Sequence, residues 1–284
     1  MVLALHPTSS AYGTPETQGR IYWYDSTPSY PTCYFDGGDS YTGGSVFTYS
    51  QYWNRIMNHL NNPSPITIDL TGSMDENSGT VEAHIEVLDG LDDPNLKVEF
   101  MVFEDHLWYS GRQYRFVVRD ILPNQTLGIS EPGEAADFYS DFTISGDWDE
   151  TEIGVVVFVQ SLTTKEVLQA AQLSKIITNW TPESPTVQRG TDLVMDALVE
   201  NITPWAQNGD FWLDVDLPNG EPYGGNPVMG PFNFTLPGNF SNTFNPSLFI
   251  PEFAPPATYT FHGRVGQHPW DIWQTSSFEV TVTP

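Results

Sequence analysis

Cysteine, basic residues and long apolar runs are all scarce in this chain of 284 residues. Its one cysteine, Cys33, excludes an internal disulfide framework. It also excludes dithiol redox chemistry by the chain alone, because that reaction needs two sulfurs. Lys and Arg number 10 against 36 Asp and Glu, a net charge of −26. A field of that sign repels phosphate backbones and anionic lipid, which argues against nucleic-acid or membrane-surface partners. No segment approaches the roughly 20 apolar residues that span a bilayer. The opening Met1-Val2-Leu3-Ala4-Leu5-His6 is too short and lacks the basic leader of a signal peptide. An exported form would carry its signal outside this sequence or would have lost it.

What the chain does have is aromatic side chains. They make up 14% of residues, with 9 Trp and 13 Tyr, a composition that suits β-rich domains. The acidic residues are dispersed among these, so the chain does not read as disordered. The length accommodates two or three domains with their own cores.

Residues 1–63 read as a short α/β unit. Val2–His6 reads as a strand, and Thr14-Pro15-Glu16 opens a short helix with Pro in its first turn. A second helix runs from Tyr49 to Leu60, where Tyr52, Ile56, Met57 and Leu60 recur at helical spacing, and Asn61-Asn62-Pro63 ends it. From Ser64 the period changes to two. Ile66–Leu70, Val81–Val87, Leu96–Phe103, Tyr114–Val118, Ala136–Ile144 and Ile153–Gln160 read as strands between polar turns, the pattern of an antiparallel sandwich over 64–176. Thr163-Thr164-Lys165-Glu166 fits a helix capping box, yet Val167–Ala171 also fits a returning hairpin strand, which is the favoured reading. Trp180-Thr181-Pro182-Glu183-Ser184-Pro185 reads as a linker. Six further strands between Asp192 and Val282 make a second immunoglobulin-like sandwich over 177–284, without the Cys pair of antibody domains. The expected class is therefore mainly β: a partial α/β unit followed by two antiparallel sandwiches.

The stretch Tyr30-Pro31-Thr32-Cys33-Tyr34-Phe35-Asp36-Gly37-Gly38 resembles the late strand of a thioredoxin-like fold, entered through a cis-proline. With Ser64–Leu70, Phe158-Val159-Gln160 and Lys165-Glu166-Val167-Leu168-Gln169-Ala170, the order of parts resembles a family of secreted, outer-membrane-associated bacterial surface proteins. Those proteins carry a thioredoxin-like unit followed by immunoglobulin-like domains. The resemblance covers residues 1 to about 176 and implies a secreted, cell-surface location, with a C-terminal sorting module that such proteins lose. The ending Thr281-Val282-Thr283-Pro284 suits such trimming. The family's Cys-x-x-Cys is missing, so the chain is expected to start within that fold. An open sheet edge and an uncovered apolar face would follow.

Candidate chemistry is sparse. Cys33, between apolar neighbours, reads first as a small buried hydrophobe. Asp89, Asp92 and Asp93 form one acidic turn, and Asp147, Asp149 and Glu150 a second, with Glu152 nearby; both are candidate calcium loops, since calcium takes six to eight oxygen ligands. Solvated turn carboxylates are the plainer reading of both. The six His show no zinc spacing. No Gly-x-Ser-x-Gly elbow is present, and catalysis is not expected. Asn124, Asn179, Asn201, Asn233 and Asn239 stand in sequons. Trp205, Trp212, Trp270 and Trp273 are candidates for sugar stacking, with a core role ranked first. The expected function is that of a non-catalytic, extracellular structural or adhesive protein that assembles with itself as a homo-oligomer or filament. Cell-envelope components or glycans are further candidate partners. A redox-derived module that lacks its active half is the alternative, and a carbohydrate-binding surface protein a weaker one.

Overall fold

A computed structural model describes residues 2–284. The fold is mainly β, and the chain forms two compact units, Met1–Leu173 and Ser174–Pro284. Residues 1–63 and the sandwich that follows them share the first unit.

In the first unit, helix α1 spans Pro15–Tyr24. Its start is dictated locally. Thr14 accepts the Thr17 N–H at 3.2 Å, and the Thr17 hydroxyl accepts the Thr14 N–H at 2.9 Å, so two orphan donors are satisfied reciprocally. The Tyr30–Pro31 peptide is cis. Strands β1 (Thr32–Phe35) and β2 (Asp39–Thr42) then form a hairpin whose turn holds Asp36 and Gly37 at positive φ. Helix α2 follows at Thr48–Leu60. Strands β1 and β2 pair only with each other. The expected first strand, Val2–His6, is a single parallel bridge from Ala4 to Val117 in the sandwich that follows. The thioredoxin-like unit expected from the resemblance is thus a helix, a two-stranded hairpin and a helix, laid against that sandwich.

The first sandwich contains β3 (Ile66–Met74), β4 (Ser78–Val87), β5 (Leu96–Glu104), the small hairpin β6 (Leu107–Tyr109) and β7 (Arg112–Tyr114), β8 (Val117–Ile121), β9 (Gln125–Thr126), β10 (Ala135–Thr143), β11 (Ile153–Ser161) and β12 (Val167–Gln172). One sheet has the order β10-β4-β3, and the other β12-β11-β5-β8 with β9 beside β5. Val167–Gln172 is therefore the second arm of a hairpin with β11, as favoured above. Strand β4 alternates buried and open positions, as a strand with one wet face does. Strand β11 does not: all of Ile153–Ser161 is buried. Met101, Phe103, Val118, Val156 and Phe158 project from the outer face of that sheet and form their own apolar cluster, covered by Leu3 and Leu5. The alternate set on β5 and β11, including Phe100, Val155 and Val157, is buried on the opposite face. The N-terminal segment thus acts as a third layer over this sheet.

The second unit is a sandwich of β13 (Ile176–Pro182), β14 (Thr186–Gln188), β15 (Asp192–Asn201), β16 (Gln207–Asp216), β17 (Met229–Leu236), β18 (Ser241–Phe244), β19 (Ser247–Phe249), β20 (Ala257–Gln267) and β21 (Asp271–Thr283). One sheet is β13-β15-β18 with β19 beside β15, and the other is β14-β21-β20-β16-β17. The segment read as a linker is in part strand β13. It pairs with β15 over seven residues and places Trp180 in the core with Met195, Leu213, Phe261 and Val280. Its Pro182 and the nearby Pro185 concealed this, because prolines cluster at strand ends as readily as in linkers.

Candidate interaction surface

The residues singled out by sequence are scattered rather than gathered. Cys33 is half-buried on β1, and burial pushes its thiol up from the ordinary range, which disfavours the reactive thiolate. Asp89 accepts the Gly90 N–H at 2.9 Å, and Asp93 accepts the Asn95 N–H at 2.8 Å together with the Ser161 hydroxyl. Asp92 is exposed. In the second loop, Asp147 accepts the Ser145 hydroxyl, and Asp149 caps the short turn Glu150–Glu152 by accepting the Thr151 N–H at 3.1 Å. These carboxylates close turns. Among the described residues no group of three or more His, Cys, Asp or Glu is placed to hold a metal ion, so the candidate calcium loops of Asp89, Asp92 and Asp93 and of Asp147, Asp149 and Glu150 do not form such a group. Four histidines meet carboxylates: His59 sits between Asp36 and Asp39, His106 between Glu152 and Asp105, His84 on Asp137 and His262 on Asp216.

The sequons separate by burial. Asn201 is buried, and its amide nitrogen donates to the carbonyls of Trp205 and Pro237 at 2.7 and 2.9 Å, which leaves no room for a glycan in the folded chain. Asn124, Asn179, Asn233 and Asn239 are exposed, Asn239 at positive φ. Of the candidate sugar-stacking residues, Trp212 is fully buried, Trp205 and Trp273 are half-buried, and Trp270 stands open on the turn between β20 and β21.

Two features missed in the sequence stand out. The first is a buried polar joint where α1 meets the sandwich. Arg20 reaches Glu99 of β5 at 3.2 Å and also donates to Gln160 of β11. Its guanidinium lies 4.5 Å from the Trp23 ring centre and 5.9 Å from that of Phe158. Gln160 donates in turn to the Tyr24 hydroxyl at 2.8 Å and the Lys165 carbonyl at 2.6 Å. Asn124 adds a donor to Glu99 at 3.2 Å. A buried charge is tolerated when it is paired and hydrogen-bonded in this way. The joint holds the N-terminal layer in place.

The second is the orientation of α2. Thr48, Tyr52, Arg55 and His59 recur at helical spacing and face the β1–β2 hairpin. Arg55 meets Asp39 at 2.5 Å and His59 meets Asp36 at 2.9 Å, while the Tyr52 ring packs edge-on to Phe35 at 5.2 Å. A separate stripe, Tyr49, Trp53, Ile56, Met57 and Leu60, faces solvent, preceded by exposed Val46 and Phe47. Leu60 is 72% exposed and Phe47 80%. An amphipathic helix of a globular domain turns its apolar stripe inward. This one is inverted. Contiguous apolar patches of this kind on soluble proteins mark interaction sites.

No protein-family model and no curated protein matches the sequence. Among solved structures the chain is similar to HBP35 of Porphyromonas gingivalis, at 15% identity over 95% of this chain and 82% of that one, with a TM-score of 0.46. It is also similar to a beta-glucosidase from Listeria innocua, at 12% identity over 40% of this chain and 17% of that one, with a TM-score of 0.30. A CARDB domain from Pyrococcus furiosus matches at 13% identity over 38% of this chain and 94% of that one, with a TM-score of 0.29. None of these likenesses carries an activity over to this chain.

Proposed function

We propose that this chain is a non-catalytic structural or adhesive protein that works outside the cell by associating with itself. The observation that supports this most is the inverted helix α2, whose apolar stripe is held in water by a polar face tied to Asp36 and Asp39. Leaving such an area solvated is costly, and a partner that covers it recovers that free energy. The expected site of association moves accordingly. It is the helix rather than an uncovered sheet face, because Leu3, Leu5 and α1 lie against the sandwich. Two consecutive β-sandwiches and a strongly acidic surface suit an extracellular module, with cell-envelope components as further partners. No helix among the described residues is long and apolar enough to cross a membrane. Native mass spectrometry and light scattering across salt concentration test the proposal. Association should strengthen as salt screens the −26 charge, and a monomer under all conditions would overturn it.

A second reading rests on Trp108, exposed on strand β6, and Trp270, exposed on the turn between β20 and β21, which offer flat faces to sugar rings. Glycan-array binding lost in Trp270→Ala would favour it over self-association.

A further inference from the structure

We infer that the outward face of α2 is a two-fold interface with a second copy of this chain, the two helices lying antiparallel. The inference rests on the self-association reading above and names the surface that carries it. Three properties of the face select a second copy as its occupant.

The first is area. Val46, Phe47 and the five stripe residues of α2 are 40–87% exposed. At on the order of 100 Å² each they offer roughly 700 Å², close to the ~800 Å² per partner of a standard interface. Ser50 and Asn54 flank the Met57 side of the stripe as an exposed, uncharged polar rim.

The second is the gradient of side-chain shape along the helix. Its N-terminal half presents Phe47, Tyr49 and Trp53, with the Tyr49 and Trp53 rings stacked 6.3 Å apart. The C-terminal half presents Ile56, Met57 and Leu60. Antiparallel pairing sets the flat aromatic half of one copy on the flexible aliphatic half of the other, twice, about a two-fold axis near Trp53. Parallel pairing would stack like on like and align the helix dipoles unfavourably. The face is therefore complementary to itself, as an isologous interface must be.

The third is charge. Two copies at −26 each repel, so they meet best where carboxylates are missing. No Asp or Glu occurs between Asp39 and Asp69. The one charged residue in that stretch, Arg55, is held by Asp39 on the inward side of the helix. The face offers neither anionic nor cationic recognition, only apolar contact with a surface of its own kind.

Sedimentation velocity of the full chain, from submicromolar to high micromolar concentration, tests this. The expected result is a reversible dimer. Trp53→Glu and Leu60→Glu should each weaken it by at least about tenfold, with unchanged circular dichroism because both side chains are exposed. Trp270→Glu, in the other unit, should leave the dimer intact. Orientation is read in a Cys33→Ser background: Phe47→Cys and Leu60→Cys chains should cross-link when mixed, and neither with itself. A dimer that survives both α2 variants, or a Leu60→Cys chain that cross-links to itself, overturns the interface while leaving self-association standing. A wild-type chain that stays monomeric throughout overturns both.

Discussion

Arg20 of α1 and Glu99 of β5 meet at 3.2 Å, the carboxylate 1% exposed and the guanidinium 10%. They lie 79 residues apart in sequence and join the N-terminal layer to the first sandwich. Removing one partner leaves the other charged and buried. Arg20→Ala should therefore lower the stability of the first unit by about 3–5 kcal/mol. Replacing both with apolar residues of similar volume, as in Arg20→Met with Glu99→Leu, should recover most of the loss. Urea titration followed by far-ultraviolet circular dichroism compares the two, and a single variant as stable as wild type would contradict the assignment.

Gly263 on β20 leaves room for Trp180. A methyl group there would lie 2.3 Å from the indole ring. Trp180 is held by hydrogen bonds from its ring N–H to the Thr178 hydroxyl at 2.9 Å and from its backbone N–H to the Ser276 hydroxyl at 2.8 Å. Gly263→Ala should thus overpack the core of the second unit and cost about 1–3 kcal/mol. A lower thermal midpoint for that unit with altered tryptophan fluorescence is the expected outcome.

Glu104 predicts a pH dependence. Burial pushes its carboxyl above the ordinary value of 4.5, against the Asp149 N–H and Arg119, which pull it down. Above the unfolded value and below the raised folded one, the folded chain binds more protons than the unfolded chain. Stability from this group therefore falls as pH rises through that window. Glu104→Gln should flatten the fall, measured as the difference in unfolding free energy between the two proteins from acid to neutral pH. A difference that does not change with pH would show that Glu104 titrates alike in both states.

Cys33 predicts slow chemistry. Burial disfavours its thiolate, with Tyr52 beside it as a weaker opposing hydrogen bond. Labelling by a disulfide reagent should be slower in the native chain than in urea by at least about tenfold. An insulin-reduction assay should show no turnover, since one sulfur cannot complete the exchange.

Much of the fold was legible because local chemistry sets it. Thr14-Pro15 starts α1, alternation over Val81–Val87 marks β4, and Val167–Ala171 pairs back on β11. The acidic turns were legible as turns, since Asp93 and Asp149 bond the backbone two residues on. The sequence by itself also determined the single thiol and the net charge, and with the former the exclusion of dithiol chemistry by the chain alone. Only the tertiary structure decided which faces are inside. The expected apolar period of α2 is divided: Tyr52 packs on Phe35 while Ile56, Met57 and Leu60 point outward, because Asp36 and Asp39 on a neighbouring hairpin bind Arg55 and His59 and fix the helix rotation. Strand β11 is buried on both faces because a segment more than 100 residues earlier lies across it. Asn201 looks like any sequon until its amide is found buried and bonded to the carbonyls of Trp205, Leu236 and Pro237. Periodicity reports that a residue series has two sides. Which side meets water depends on contacts distant in sequence, and no local pattern encodes them.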